Sequence, residues 1–127
     1  MDAYKKYMQD EVYTNHPIEN TILLYEKAIQ RFRLVKKLYA DLKFSLADEE
    51  LGKLESTFME LKMQVNESAS EELAEDLYRL YDYMLVKVYE IYQYRNAEPI
   101  SSVESILMDL IDGFRGALKK DGQEFEE

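Results

Sequence analysis

The chain has 127 residues, 46% of them hydrophobic and 33% charged, with a formal net charge of -10 at pH 7. That length fits one domain, and so acidic a surface repels both a phosphate backbone and an anionic bilayer, which argues against nucleic-acid binding and membrane insertion. No Cys is present, so there is no disulfide framework and no thiolate metal site, a pattern that suits a reducing cytoplasm.

Gly numbers 4 and Pro 2, too few breakers for a strand-and-turn architecture, so the composition predicts an all-α fold. The start, Met1 to Lys6, lacks the apolar run of a signal peptide, and no later stretch is apolar for long enough to cross a bilayer. Tyr is abundant, 11 residues against no Trp. Tyrosine joins a flat apolar ring to a polar tip, which suits both the edge of a small core and a protein interface.

Residues 1–16 show no sustained helical period, although Tyr4, Tyr7, Val12 and Tyr13 keep the segment from being purely polar. They read as an irregular or short-helical N-terminal arm packed on the body. A first long helix is expected from Asn15-His16-Pro17, because proline at the first helical position forfeits no amide bond. Ile18, Ile22, Tyr25, Ile29 and Phe32 step along it by four and three, with Leu24, Ala28, Val35, Leu38 and Leu42 as a second stripe. Two stripes make a wide buried face that meets two neighbours. This helix should end near Lys43. Ser45 to Asp48 then reads as a turn, with Asp48 a candidate N-cap.

Leu51, Leu54, Phe58, Leu61 and Val65 give the second helix a regular bundle seam, and its opposite side reads as polar. Residues 66–70 form a loop, and Ser70-Glu71-Glu72 opens a third helix. That helix carries one stripe of Leu73, Leu77, Leu80, Met84, Val88 and Ile91 beside another of Ala74, Tyr78, Tyr81, Leu85, Tyr89 and Tyr92. It should stop around Arg95-Asn96, because Pro99 restricts the residue before it. Ser101 or Ser102 would cap a fourth helix with the seam Val103, Leu107, Leu110, Phe114 and Ala117. Short connections make these four an antiparallel up-down four-helix bundle. The expected organisation is an arm over residues 1–16, a bundle over 17–120 and an acidic flexible tail over 121–127.

Catalytic chemistry has no residues to stand on. His16 is the sole histidine and sits at a helix entry, so a paired Glu-x-x-His metal site cannot be built. No phosphate-cradling glycine loop or nucleophile elbow is present. The prediction is a non-enzyme with no cofactor and no metal. The first and third helices instead carry more apolar and aromatic surface than a four-helix core consumes, enough to line a groove for a helical or extended peptide.

Three strings carry a family resemblance. Glu72-Leu73-Ala74-Glu75-Asp76-Leu77-Tyr78-Arg79-Leu80-Tyr81-Asp82-Tyr83-Met84 resembles the signature of the flagellar secretion chaperones, the FliS family. Leu23-Leu24-Tyr25-Glu26-Lys27-Ala28-Ile29 is similar to that family's Met-Leu-Tyr-Asp-Gly-Ala-Ile string, and Val12-Tyr13-Thr14-Asn15-His16-Pro17-Ile18-Glu19 to its entry into the first helix. The chain departs from the pattern at Glu26-Lys27, His16, Val86-Lys87 and Leu118.

The resemblance implies a cytoplasmic export chaperone. Such a protein would bind the disordered C-terminal segment of flagellin, block its premature polymerisation and deliver it to the flagellar type III export apparatus. It also implies that the arm, anchored by Tyr7 and Val12, covers the binding surface until flagellin displaces it. The expected partner-binding residues are Leu24, Tyr25, Ala28, Ile29, Tyr78, Tyr81 and Met84, with Tyr7 and Val12 in the arm. Leu24, Ile29 and Met84 sit at seam-compatible positions, where a side chain is more often core than contact. Two other readings stay open: a helical adaptor or regulator of another flagellar protein, and a structural homodimer.

Overall fold

A computed structural model describes the backbone of residues 2–65 and 71–126 and the side chains of residues 18–65 and 71–117. Four helices follow in chain order: α1 Asp2–Ala40, α2 Phe44–Met63, α3 Glu71–Tyr94 and α4 Ile100–Glu126. The described residues contain no strand, so the fold is the expected all-α bundle.

Cross-helix contacts fix its topology. Arg31 on α1 meets Glu50 on α2 at 2.8 Å. On α4, Glu104 meets Arg33 and Arg115 meets Glu26, so rising numbers on one helix face falling numbers on the other. Lys62 on α2 meets Asp82 on α3 at 2.6 Å. Sequential helices therefore run antiparallel. α1 packs on both α2 and α4, and α2 packs on α3. The diagonal pair α1 and α3 runs parallel, joined by a buried hydroxyl contact between Tyr25 and Tyr81 and by the Tyr39 hydroxyl, which donates to the Ile91 carbonyl at 3.2 Å.

The core takes one stripe from each helix. α1 contributes Ile22, Tyr25, Ala28, Phe32 and Val35, and α2 contributes Ala47, Leu51, Leu54, Phe58 and Leu61. α3 adds Leu77, Tyr81, Met84, Val88 and Ile91, and α4 adds Ile100, Val103, Leu107 and Ile111. No polar or charged residue is buried among the described residues. The α3 stripe draws on both rows expected from the sequence: Leu73 of the first row is exposed, and so are Tyr89 and Tyr92 of the second.

Several boundaries differ from expectation. α1 begins at Asp2, not at Asn15–Pro17, and its backbone passes through Pro17 without a break. The segment before Pro17 contains no Gly and many good helix formers (Lys, Met, Gln, Glu), and these sustain helical backbone without a periodic apolar stripe. α4 likewise runs to Glu126 and does not stop near residue 120.

α2 begins at Phe44, so Ser45 to Asp48 is helix and Asp48 is no N-cap. The turn lies earlier because Leu42 adopts φ 60°, which ends α1 with the Lys43 amide donating to the Leu38 carbonyl at 2.8 Å, a Schellman closure. α4 starts at Ile100, with Ser101 and Ser102 inside its first turn. There the Asn96 side chain accepts from the Glu98 amide at 2.9 Å, and the Pro99 carbonyl takes the first helical bond, from Val103.

Candidate binding groove

The residues singled out from the sequence fall mostly inside the bundle. Tyr25, Ala28, Ile29, Tyr81 and Met84 are buried in the core, and Leu24 packs half-buried against it. In this conformation those five buried side chains offer nothing to a partner. Tyr78 is half-buried, and the side chains of Tyr7 and Val12 lie outside the described residues. Periodicity reports the face of a helix, not what covers that face, and packing against neighbouring helices buried Tyr25, Ala28 and Ile29 of α1 and Tyr81 and Met84 of α3 while leaving Leu73, Tyr89 and Tyr92 of α3 exposed.

At the centre of that core the Tyr25 and Tyr81 hydroxyls lie 2.5 Å apart and satisfy each other. The Tyr25 ring also packs on Phe114, with centroids 5.9 Å apart. Burial, together with the neighbouring Tyr81 hydroxyl, pushes the Tyr25 phenol far above its ordinary range, and burial raises Tyr81 as well, against a smaller lowering by the shared hydrogen bond. Both stay neutral at any physiological pH. The pair is a satisfied polar link in an apolar core, not a proton-transfer site.

The open surface lies on the other side of the bundle, between α2 and α3. A groove of about 740 Å³ runs there, floored by Leu51 and Val88. Met59 and Met63 wall it from α2, and Leu85, Tyr89 and Tyr92 from α3. The wall is uncovered: Met63 is 86% exposed and Tyr89 61%. The α2 residues step from Asp48 through Gly52 and Glu55 to Met59 and Met63, spacings of three and four that place them on one helical face. On α3, Leu85, Tyr89 and Tyr92 do the same.

Polar groups sit at its ends. Asp48 lines the α2 N-terminal end, and one of its carboxylate oxygens is buried with no hydrogen-bond partner. The Tyr39 phenol close by is raised mainly by burial and then by the charge of Asp48. At the far end Lys62 is held by Asp82 at 2.6 Å.

Tyr89 and Tyr92 were legible as a tyrosine-rich second stripe of α3. The α2 wall was not, because that face reads as polar. Its signal was the Met59–Met63 pair one turn apart, opposite the seam of Leu54, Phe58 and Leu61. Methionine is flexible and polarisable, which suits a surface that must fit an adaptable partner.

A second, smaller groove of about 260 Å³ lies between α1 and α4 along Ile29, Met108 and Ile111. It is bridged by the Arg33–Glu104 and Arg115–Glu26 ion pairs and is as polar as it is apolar. The α2–α3 groove is therefore the stronger candidate.

Bundle and groove together define a four-helix protein with an open apolar cleft between α2 and α3. The sequence profile of the family described as flagellar protein FliS matches residues 1–121. The flagellar secretion chaperone FliS of Bacillus subtilis (strain 168) is 24% identical over 120 residues, which cover 94% of this chain and 89% of that protein. A crystal structure of a flagellar chaperone from bacteria superposes with a TM-score of 0.83 at 39% identity, covering 94% of this chain and 98% of that one. The chain belongs to the FliS family of flagellar chaperones. Among the described residues no helix is long and apolar enough to cross a membrane.

Proposed function

We propose that the chain is a cytoplasmic export chaperone that holds the C-terminal segment of flagellin in the α2–α3 groove and delivers it to the flagellar export apparatus. The observation that carries the reading is the uncovered apolar wall of Met59, Met63, Leu85, Tyr89 and Tyr92 on a bundle of this family. An exposed, contiguous apolar cleft rimmed by charge is a mark of a partner surface. A disordered client orders on binding, so it needs a large apolar contact to offset the entropy lost. Apolar faces of the client that would otherwise join a neighbouring subunit are covered here by Met and Tyr side chains, which blocks premature polymerisation.

Calorimetric titration of the full chain with a peptide from the C-terminal segment of the same organism's flagellin tests the reading. One-to-one binding with a large negative heat-capacity change is expected, as for folding coupled to binding. No heat at micromolar concentrations, with the bundle confirmed folded by circular dichroism, would overturn it.

A further inference from the structure

The α2 wall of the groove contains a residue that the fold does not explain. Gly52 stands in the interior of a helix, where glycine is weaker than alanine. A Cβ placed there meets no atom within 4 Å, so no contact inside the molecule requires the side chain to be missing. Gly113 and Gly116 on α4 are equally open but lie outside the groove. Gly52 lies within its lining, one turn from Asp48 on one side and from Glu55 on the other.

Those two carboxylates have no ion-pair partner among the described residues, and the buried oxygen of Asp48 has no hydrogen bond. Lys62, by contrast, is already engaged by Asp82, and the wall around it is Met59 and Met63. The groove therefore has a notched, acidic half and a smooth, methionine-lined half. From Asp48 to Lys62 the wall is about 21 Å long at 1.5 Å per residue, which matches an amphipathic helix of roughly four turns.

Resting on the chaperone reading above, we propose that Gly52 is the point of closest approach to a single client helix. A small residue of that helix lets its backbone pass over Gly52. Basic side chains one turn to either side reach Asp48 and Glu55, while larger apolar side chains lie on Met59 and Met63. The missing side chain sets how near the client comes, and the carboxylates set which end of the client lies there.

The test uses full-length Gly52→Ala and Gly52→Leu variants and the Asp48→Asn, Glu55→Gln double variant. Each is titrated with the flagellin C-terminal peptide, and each is melted. Both glycine variants should melt above the wild type, because the helix strengthens and nothing clashes. Gly52→Leu should nevertheless weaken peptide binding at least tenfold, roughly the effect of one lost hot spot, with Gly52→Ala between the two. The carboxylate variant should bind several-fold more weakly, and its affinity should depend less on salt. Wild-type affinity in Gly52→Leu overturns the close-approach claim. Wild-type affinity and salt slope in the double variant overturn the charge claim. A wild-type chain that binds no flagellin peptide overturns the chaperone reading and this proposal with it, a result distinct from variants that bind as the wild type does.

Discussion

The Tyr25 and Tyr81 hydroxyls share one hydrogen bond inside the hydrophobic core, so the two residues act as a unit. Tyr25→Phe leaves the Tyr81 oxygen buried without a partner and should cost about 1–3 kcal/mol. Removing both hydroxyls leaves no orphan, so Tyr25→Phe with Tyr81→Phe should cost far less than twice the single change. Urea denaturation of the three variants measures the coupling, and strict additivity would refute it.

The same pair predicts behaviour at high pH. Burial raises both phenols above their ordinary value, so the folded state holds protons that the unfolded chain releases near pH 10. Stability from this source is complete below about pH 10 and falls as the pH climbs past it. The double phenylalanine variant should lose less stability between pH 9 and 11. Glu50 behaves oppositely. Burial alone would raise its carboxyl, but hydrogen bonds from Arg31 and Lys53 outweigh that and hold it below the usual range. Its stabilising share is present above the unfolded value and is lost as the pH falls through the lowered one.

At the scale of elements, the turn between α1 and α2 depends on a leucine doing a glycine's work. Leu42 has φ 60° and is largely exposed, so it bears the left-handed penalty with little burial in return. Leu42→Gly should stabilise the bundle by about 1 kcal/mol, read as an upward shift of the thermal midpoint. The α3 terminus uses the same device at Arg95, φ 48°, but there the guanidinium lies 4.6 Å from the Phe44 ring centroid. Arg95→Gly should therefore gain less than Leu42→Gly. The ends of both helices were legible, α1 near Lys43 and α3 at Arg95-Asn96 ahead of Pro99, but which residue takes the left-handed conformation was not, because leucine and arginine carry no turn signal. Asp48, which carries one, lies inside α2 since the chain had already turned at Leu42. The helices themselves were legible: their seams at Leu54, Phe58, Leu61, Val103 and Leu107 follow a strict three-four period, and all five residues are buried.

For the whole molecule, closing the core and opening a groove are separate tasks given to different faces of the same helices. α3 turns Tyr81, Met84, Val88 and Ile91 inward and Tyr89 and Tyr92 outward. Charge on the outer face should therefore spare the fold and remove the function. Met63→Glu combined with Tyr89→Glu should leave the thermal midpoint within a few degrees of wild type, because both side chains are exposed. The same change should weaken flagellin-peptide binding by at least roughly tenfold. Unaltered affinity in that variant would move the client off this groove, with the α1–α4 cleft around Met108 the next surface to probe.

Sequence by itself determined that this protein is helical, that it has four helices with antiparallel seams, and that its strings around Tyr25 and Tyr81 belong to the flagellar chaperone pattern. These properties are local, or depend on spacing along one helix, and a period of 3.6 residues exposes them directly. Only the tertiary structure decided which apolar stripes are spent on the core. Tyr25, Ala28, Ile29, Tyr81 and Met84 were candidates for a partner, with Ile29 and Met84 favouring the core by their period, and the packing of α1 against α2 and α4 and of α3 against α2 buried all five. Met59, Met63 and Tyr89 remain in solvent because, among the described residues, no further helix covers the α2–α3 face. A side chain's angle about its helix axis is written in the sequence, whereas the presence of something opposite that angle is a property of the assembled bundle.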